Sequence, residues 1–77
     1  MNKARRSMLA KAQELLDQAQ AIIEECKDLE QEAFDNMPES LQSSERGEQM
    51  EEYIGTLEEA YDYIGDMNEQ LDEIING

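Results

Sequence analysis

The stretch that decides the fold runs from Met50 to Gly77 and reads, cut into sevens, MEEYIGT, LEEAYDY, IGDMNEQ, LDEIING. Each segment opens on an apolar residue, continues with acidic or small residues, and returns to apolar residues at its fourth and fifth positions, with Asn68 as the one exception. A seven-residue apolar repeat is typical of an α-helix that packs against other helices. The stretch therefore predicts a coiled-coil-like helix over about residues 45–76.

A second block with the same period precedes it, over about residues 3–34. Its apolar spacing alternates between four and three from Met8 to Ala33, which predicts another packed helix. One column holds small residues, including Ala12 and Cys26, and we expect it to face a helix of the same chain or of a second copy. The predicted helix–helix or dimer core of both blocks comprises Ala12, Leu15, Leu16, Ala19, Ile22, Ile23, Cys26, Leu29, Leu57, Ile64 and Leu71.

The connection, residues 35–44, reads DNMPESLQSS and carries turn and cap chemistry. Pro38 disfavours helical geometry at the preceding residue and so predicts the end of the first helix. Pro38 to Leu41 fits one helical turn, and Ser43 or Ser44 suits the start of the second helix. Phe34, Met37 and Leu41 are apolar, and we expect them to cover the end of the hairpin.

Equal helices joined by a short connection pack as antiparallel neighbours. The predicted fold is therefore all-α, a single antiparallel two-helix hairpin domain over residues 1–77. Three apolar columns per helix are more than a two-stranded seam requires. A chain of 77 residues with a single cysteine also has no internal staple for its small core. We therefore expect a homodimer in which two hairpins form a four-helix bundle.

Charge and composition exclude several classes of function. Twenty acids against six bases give a net charge of −14, which repels nucleic acid and anionic membranes and favours basic protein surfaces. The chain has no histidine and no phosphate-binding glycine loop, so we expect no enzyme, no cofactor and no metal site. It has no apolar run of membrane-spanning length, and a lone thiol without an export signal predicts a cytoplasmic protein.

Acidic pairs repeat along the outer face of the second helix, about 10.5 Å apart at 1.5 Å per residue. One interpretation is a solvated surface; the other is a row of carboxylates that imitates phosphates on a basic groove. Charge runs are usually a solvated surface, but no base follows Arg46, which shifts the balance toward the second interpretation. The candidate partner-binding residues are Glu51, Glu52, Glu58, Glu59, Asp62, Tyr63, Asp66 and Glu69.

Other surface positions carry further expectations. Tyr53 and Tyr61 fall in apolar columns and are predicted to complete the core. Gly55 and Gly65 are predicted to point outward, either as tolerated surface glycines or as points of close approach for a partner. In an antiparallel hairpin the basic start lies beside the acidic end, so Arg5 and Arg6 are expected to pair with Glu69, Asp72 or Glu73.

The segments EAFDNMPESLQ (residues 32–42) and SERGE (44–48), followed by LEEA-type heptads, resemble a group of small acidic proteins of bacterial phages, prophages and conjugative elements. The resemblance covers nearly the whole chain, and the connection is its most specific part. It implies a bacterial cytoplasm and a mobile-element context, and it brings no catalytic residues. Small acidic proteins in that setting often block host defence or DNA-binding proteins, some by imitating DNA.

Two hypotheses follow. The first is a non-enzymatic, inhibitory binding protein that presents its carboxylates to a basic bacterial protein. The alternative is a structural or assembly subunit whose apolar columns form the partner contact. Weak calcium binding by adjacent carboxylates is a distant third hypothesis.

Overall fold

Two long antiparallel helices with a one-turn helix between them make up the fold. The structure, a computed structural model, describes residues 1–77 and contains α1 (Lys3–Asp35), α2 (Glu39–Gln42) and α3 (Glu45–Asn76), with no strand. α1 and α3 lie side by side, and the molecule extends 58 × 15 × 13 Å. The all-α hairpin predicted from the heptads is confirmed, and the predicted helix bounds differ from these by one residue at most.

Each long helix begins at a side-chain cap. The Asn2 side-chain oxygen accepts a hydrogen bond from the Arg5 backbone N–H at 2.8 Å. Ser44 Oγ accepts one from the Gly47 backbone N–H at 3.3 Å. These bonds satisfy N–H groups that the first turn of a helix leaves without partners. Glu45 and Glu48 add negative charge to the first turn of α3, where the helix dipole favours it.

The connection reverses the chain through α2. The Pro38 carbonyl accepts hydrogen bonds from the backbone N–H groups of Leu41 at 2.8 Å and Gln42 at 3.0 Å. Gln42 Nε2 donates to the Phe34 and Met37 carbonyls at 3.0 and 3.2 Å, so its side chain ties α2 to the end of α1. Of the three residues expected to cover this end, Phe34 and Met37 are half-buried, whereas Leu41 is 50% exposed.

Gly47 marks the closest approach of the connection to α3. It is one of only two buried residues. A Cβ atom at this position would lie 2.2 Å from the Gln42 carbonyl oxygen and 2.6 Å from that of Leu41. No side chain fits there, so glycine is required by the approach of two backbones and not by a special backbone torsion.

The hairpin by itself hides little of its surface. Its solvent-accessible area is 5817 Å², whereas a compact monomer of 8.9 kDa has about 4,800 Å². Ile54, at 7% exposure, is the only buried hydrophobic residue. The excess of about 1,000 Å² follows from the elongated shape, because each long helix packs on only one neighbour.

Candidate interaction surfaces

The seam between the helices follows one column of each. In α1 this column is Leu9, Leu16 and Ile23, all half-buried. In α3 it is Ile54, which is buried, and Tyr61, Asn68 and Ile75, which are half-buried. Two glutamines fix the level of one helix against the other. Gln13 Nε2 donates to the Asn68 carbonyl at 3.2 Å, and Gln20 Nε2 donates to the Tyr61 carbonyl at 3.0 Å. A step of seven residues along α1 therefore matches a step of seven back along α3.

The two sides of this seam differ in chemistry. Met8 and Tyr53 each immediately precede a seam residue, Leu9 and Ile54, and both belong to seven-residue columns. Because both helices are right-handed and antiparallel, the columns that precede the seam by one residue project from the same side of the hairpin. We call this side the apolar face; it consists of Met8, Leu15, Ile22 and Leu29 of α1 and Tyr53, Ala60, Met67 and Ile74 of α3.

The apolar face is open to solvent. Its α1 column is 54–71% exposed, and Tyr53, Met67 and Ile74 are 43–52% exposed. Between the two columns, Ala12 and Ala19 are half-buried, while Cys26 and Ala33 are exposed. Seven large apolar side chains in two parallel rows form a continuous patch, and patches of this kind mark interaction sites on soluble proteins.

The structure divides the predicted core residues into two groups. Ala12, Leu16, Ala19, Ile23, Leu57, Ile64 and Leu71 are half-buried between α1 and α3. Leu15, Ile22, Cys26 and Leu29 are exposed in the single hairpin, so they do not belong to the helix–helix contact, and their place in a dimer core stays a prediction. Tyr53 is likewise 52% exposed rather than packed, whereas Tyr61 is half-buried. The physical reason is geometric, because one neighbouring helix cannot cover a stripe three columns wide.

The opposite side of the seam is polar and hydrogen-bonded across the helices. Besides its bond to the backbone, Gln13 Nε2 donates to Asp72 Oδ1 at 2.7 Å, and Asn68 Nδ2 donates to Asp17 Oδ1 at 2.8 Å. Asn68, the one break in the apolar repeat, thus has a cross-helix partner. Gly65 was predicted to point outward, but it lies half-buried on this side, where an added Cβ would be 3.3 Å from Gln20 Nε2.

Sequence reasoning missed Gln13 and Gln20. A signal was present, because they stand seven residues apart and each follows a half-buried alanine of the small column, Ala12 or Ala19. A polar residue that repeats at the heptad period beside the seam is positioned to reach the neighbouring backbone.

Replacing Gln20 with alanine is expected to lower the free energy of unfolding by about 0.5–1.5 kcal/mol, since one cross-helix hydrogen bond is lost. Urea denaturation followed by circular dichroism at fixed protein concentration measures this. Gln49→Ala is the matched control, because Gln49 is exposed and its side chain makes no hydrogen bond. An equal decrease in the free energy of unfolding in both variants would show that the hydrogen bond to the Tyr61 carbonyl does not stabilise the fold.

The predicted partner-binding acids are all exposed. They are Glu51, Glu52, Glu58, Glu59, Asp62, Asp66 and Glu69, which we call the acidic surface. None takes part in an ion pair. In α3 the acids occupy the polar side and the outer side only. The column beyond the apolar face is instead uncharged and contains Gln49, Thr56, Tyr63 and Gln70. Tyr63, 65% exposed as predicted, lies between the acidic surface and the apolar face.

The expected ion pairs between the two ends of the chain do not form. Arg6 Nη2 donates to the Gly77 carbonyl at 3.2 Å instead of to a carboxylate, and Arg5 has no acidic partner. The two salt bridges are local to α1, Lys11–Glu14 at 3.2 Å and Lys27–Asp28 at 3.4 Å. The contacts from α1 to α3 on the polar side are instead hydrogen bonds donated by Gln13 and Gln20. One of them is accepted by Asp72, a carboxylate that was predicted to pair with an arginine.

Comparison of the chain with protein-family models, with curated protein sequences and with solved structures found no significant match. No group of three or more carboxylate or thiol side chains is arranged to hold a metal ion. Neither long helix is apolar enough to cross a membrane. The exposed apolar face and the unpaired carboxylates of the acidic surface are the two candidate functional sites.

Proposed function

We propose that this protein is a non-enzymatic protein-binding module. Two hairpins pair through their apolar faces into a four-helix bundle, and the bundle presents the acidic surfaces of both copies to a basic surface on another protein. The dimer would supply the core that a lone hairpin lacks.

One observation carries this proposal: the charge of α3 is sorted by side. All eleven acids of α3 lie away from the apolar face, and Arg46 is the only base in the helix. An ordinary solvated helix mixes both signs on its surface. Here the carboxylates have no compensating cations, and pairing of the apolar faces would leave every one of them outside. The arrangement supports long-range attraction of a cationic partner.

The chemistry of the acidic surface favours a protein that normally binds nucleic acid. Carboxylates repeated about 10.5 Å apart along a rigid helix offer such a protein an array of negative charge comparable to phosphates. The resemblance of the connection to small proteins of phages and conjugative elements adds a cellular setting. In that setting, the partner would be a host defence or DNA-binding protein, and the module would inhibit it in the bacterial cytoplasm.

Reversing two central charges tests the acidic surface. Glu58→Lys/Glu59→Lys is expected to weaken partner binding at least 10-fold, because two attractive charges become repulsive. The partner would be captured from bacterial lysate on immobilised protein, identified by mass spectrometry and purified for titration calorimetry. Binding should also weaken steeply with salt, since exposed charges are screened.

Glu14→Lys/Asp28→Lys is the control, with the same change in net charge on the outer side of α1. It also breaks the two local salt bridges of α1, but exposed pairs contribute only about 0–1 kcal/mol each. It should bind the captured partner within about threefold of the unmodified protein, since the two positions lie off the acidic surface. Equal loss of binding in both variants, or binding that salt leaves unchanged, would contradict the proposed role of the acidic surface.

The second candidate function is an assembly subunit, favoured by the seven large exposed side chains of the apolar face. In that case the face would bind another component instead of a second copy, and the acids would only keep the protein soluble. Sedimentation velocity of the pure protein separates the two functions. A stable dimer supports the binding module, and a monomer or an open-ended aggregate supports the assembly subunit.

A further inference from the structure

We infer that the second copy covers the apolar face in an antiparallel orientation, with α1 against α1, α3 against α3 and the two connections at opposite ends of the bundle. The inference rests on the proposed dimer and adds its geometry. A second orientation also closes a four-helix bundle, with α1 of each copy over α3 of the other and both connections at the same end. Three features of the apolar face distinguish them.

The first feature is the symmetry of the two apolar columns. The glutamine contacts place Leu15 level with Met67 and Ile22 level with Ala60, to within about one residue. The midpoints of the two four-residue columns therefore coincide along the hairpin. A two-fold axis at that level, perpendicular to the helices, places the α1 column of one copy against the α1 column of the other. The same axis places the α3 column against its own copy. Leu15 then meets Ile22 of the partner subunit, and Ala60 meets Met67 of the partner subunit, a small residue against a large one.

The second feature is the charge along the α1 border of the apolar face. The bordering column holds Lys11, Gln18, Glu25 and Glu32, basic toward one end and acidic toward the other. In the antiparallel orientation Lys11 lies level with Glu25 of the partner subunit, and symmetry makes this pair twice. In the alternative, the column faces Gln49, Thr56, Tyr63 and Gln70, which carry no charge. Charge complementarity therefore favours α1 against α1.

The third feature is Tyr63, a large aromatic side chain that is 65% exposed in the hairpin. Tyr63 lies in the uncharged column that borders the apolar face on α3. Along the helix it is within about 1 Å of the level of the two-fold axis. In the antiparallel orientation it meets Tyr63 of the partner subunit, an aromatic pair at the centre of the α3 border. The acids of α3 stay on the far sides, so α3 packs on α3 without facing carboxylates across the contact.

The area of the face suits a stable but small interface. The α1 column from Met8 to Leu29 is about 32 Å long, and the hairpin is 15 Å wide. With the side chains at each end, one copy contributes about 600 Å², and two copies about 1,200 Å², the lower limit for specific protein interfaces. The hairpin exposes about 1,000 Å² more surface than a compact monomer of its mass. That excess is larger than the area of about 600 Å² that one copy would contribute to the interface.

Distance measurement between the two connections tests the orientation. Ser40 is exposed on α2 and belongs to neither the apolar face nor the acidic surface, so Ser40→Cys in a Cys26→Ala background is the labelling site for a nitroxide. Double electron–electron resonance should give a label separation of about 50 Å, because each connection lies about 25 Å from the axis. A dimer with a separation below about 30 Å would overturn the orientation and leave the dimer standing. A monomeric labelled protein would overturn both.

A charge swap tests the same geometry independently. Lys11 and Glu25 are 14 residues apart on one helix, which is about four turns or about 21 Å. They can therefore compensate each other only between copies. Lys11→Glu is expected to raise the dimer dissociation constant about 10-fold, and Lys11→Glu/Glu25→Lys should return it to within about threefold. A double variant that stays as weak as the single one, measured by sedimentation equilibrium, would overturn the antiparallel pairing. Neither result depends on partner binding by the acidic surface.

Discussion

Replacing Ile22 with lysine is expected to turn the proposed dimer into monomers. Ile22 is 67% exposed on α1 of the hairpin, so the substitution removes little packing within one chain. In the dimer it would lie at the centre of the contact, near the two-fold axis. Burying one isoleucine contributes about 1.5–3 kcal/mol. In a symmetric dimer the substitution removes two isoleucines from the contact and places two ammonium groups there, which is costly in apolar surroundings. The dissociation constant should rise at least about 100-fold.

Ala21→Lys is the matched control for this experiment. Ala21 is exposed on the outer side of α1, next to Ile22 in sequence but away from the apolar face. It adds the same charge to the same helix, so it should leave the sedimentation of the protein unchanged. If Ile22→Lys also remained dimeric at micromolar concentration, the apolar face would not be the dimer contact. If both variants dissociated, charge alone would explain the effect.

Replacing Gly47 with alanine should produce the largest loss of stability from a single methyl group. Alanine normally stabilises a helix interior by about 0.8–1 kcal/mol over glycine. At this position the methyl carbon would lie 2.2 Å from the Gln42 carbonyl oxygen, and a backbone oxygen cannot move aside as a flexible side chain can. Overpacking of this kind costs about 1–3 kcal/mol. We expect a net loss of up to about 2 kcal/mol, a large fraction of the stability of so small a domain.

Gly55→Ala supplies the opposite expectation in the same helix. Nothing lies within 4 Å of a Cβ added at Gly55, so alanine should raise the free energy of unfolding by about 0.8–1 kcal/mol. Urea denaturation of both variants and the unmodified protein at one concentration gives the comparison. A Gly47→Ala protein as stable as Gly55→Ala would mean that the connection does not pack against α3 as described.

The parts of the fold that were predictable depend on residues close together in the chain. Pro38 ends α1 because it restricts the residue before it, and Ser44 starts α3 because its hydroxyl reaches an N–H group three residues on. The heptads set the length of both helices. Each of these effects operates within one or two turns, so the sequence displays it directly.

The composition of the two surfaces was only partly predictable. The exposure of the acids and of Tyr63 follows from their positions outside the apolar columns, and the structure shows it. The excess of apolar columns predicted that one hairpin leaves some of them uncovered, but not that Leu15, Ile22 and Leu29 are the exposed ones, because their column is as regular as the column that packs. A seven-residue period reports that a helix is packed, not which of its neighbouring columns meets the partner.

By itself, then, the sequence determined two helices of equal length, the position and direction of the reversal between them, and an excess of negative charge on the second helix. Only the tertiary structure decided the rotation of each helix about its own axis. Three adjacent apolar columns permit several rotations with similar apolar burial. The glutamine bonds to the Asn68 and Tyr61 carbonyls and the fit of Gly47 against the connection belong to one of them. The glutamine bonds join residues 55 and 41 positions apart in the chain, and in this rotation Met8, Leu15, Ile22 and Leu29 face outward on one side.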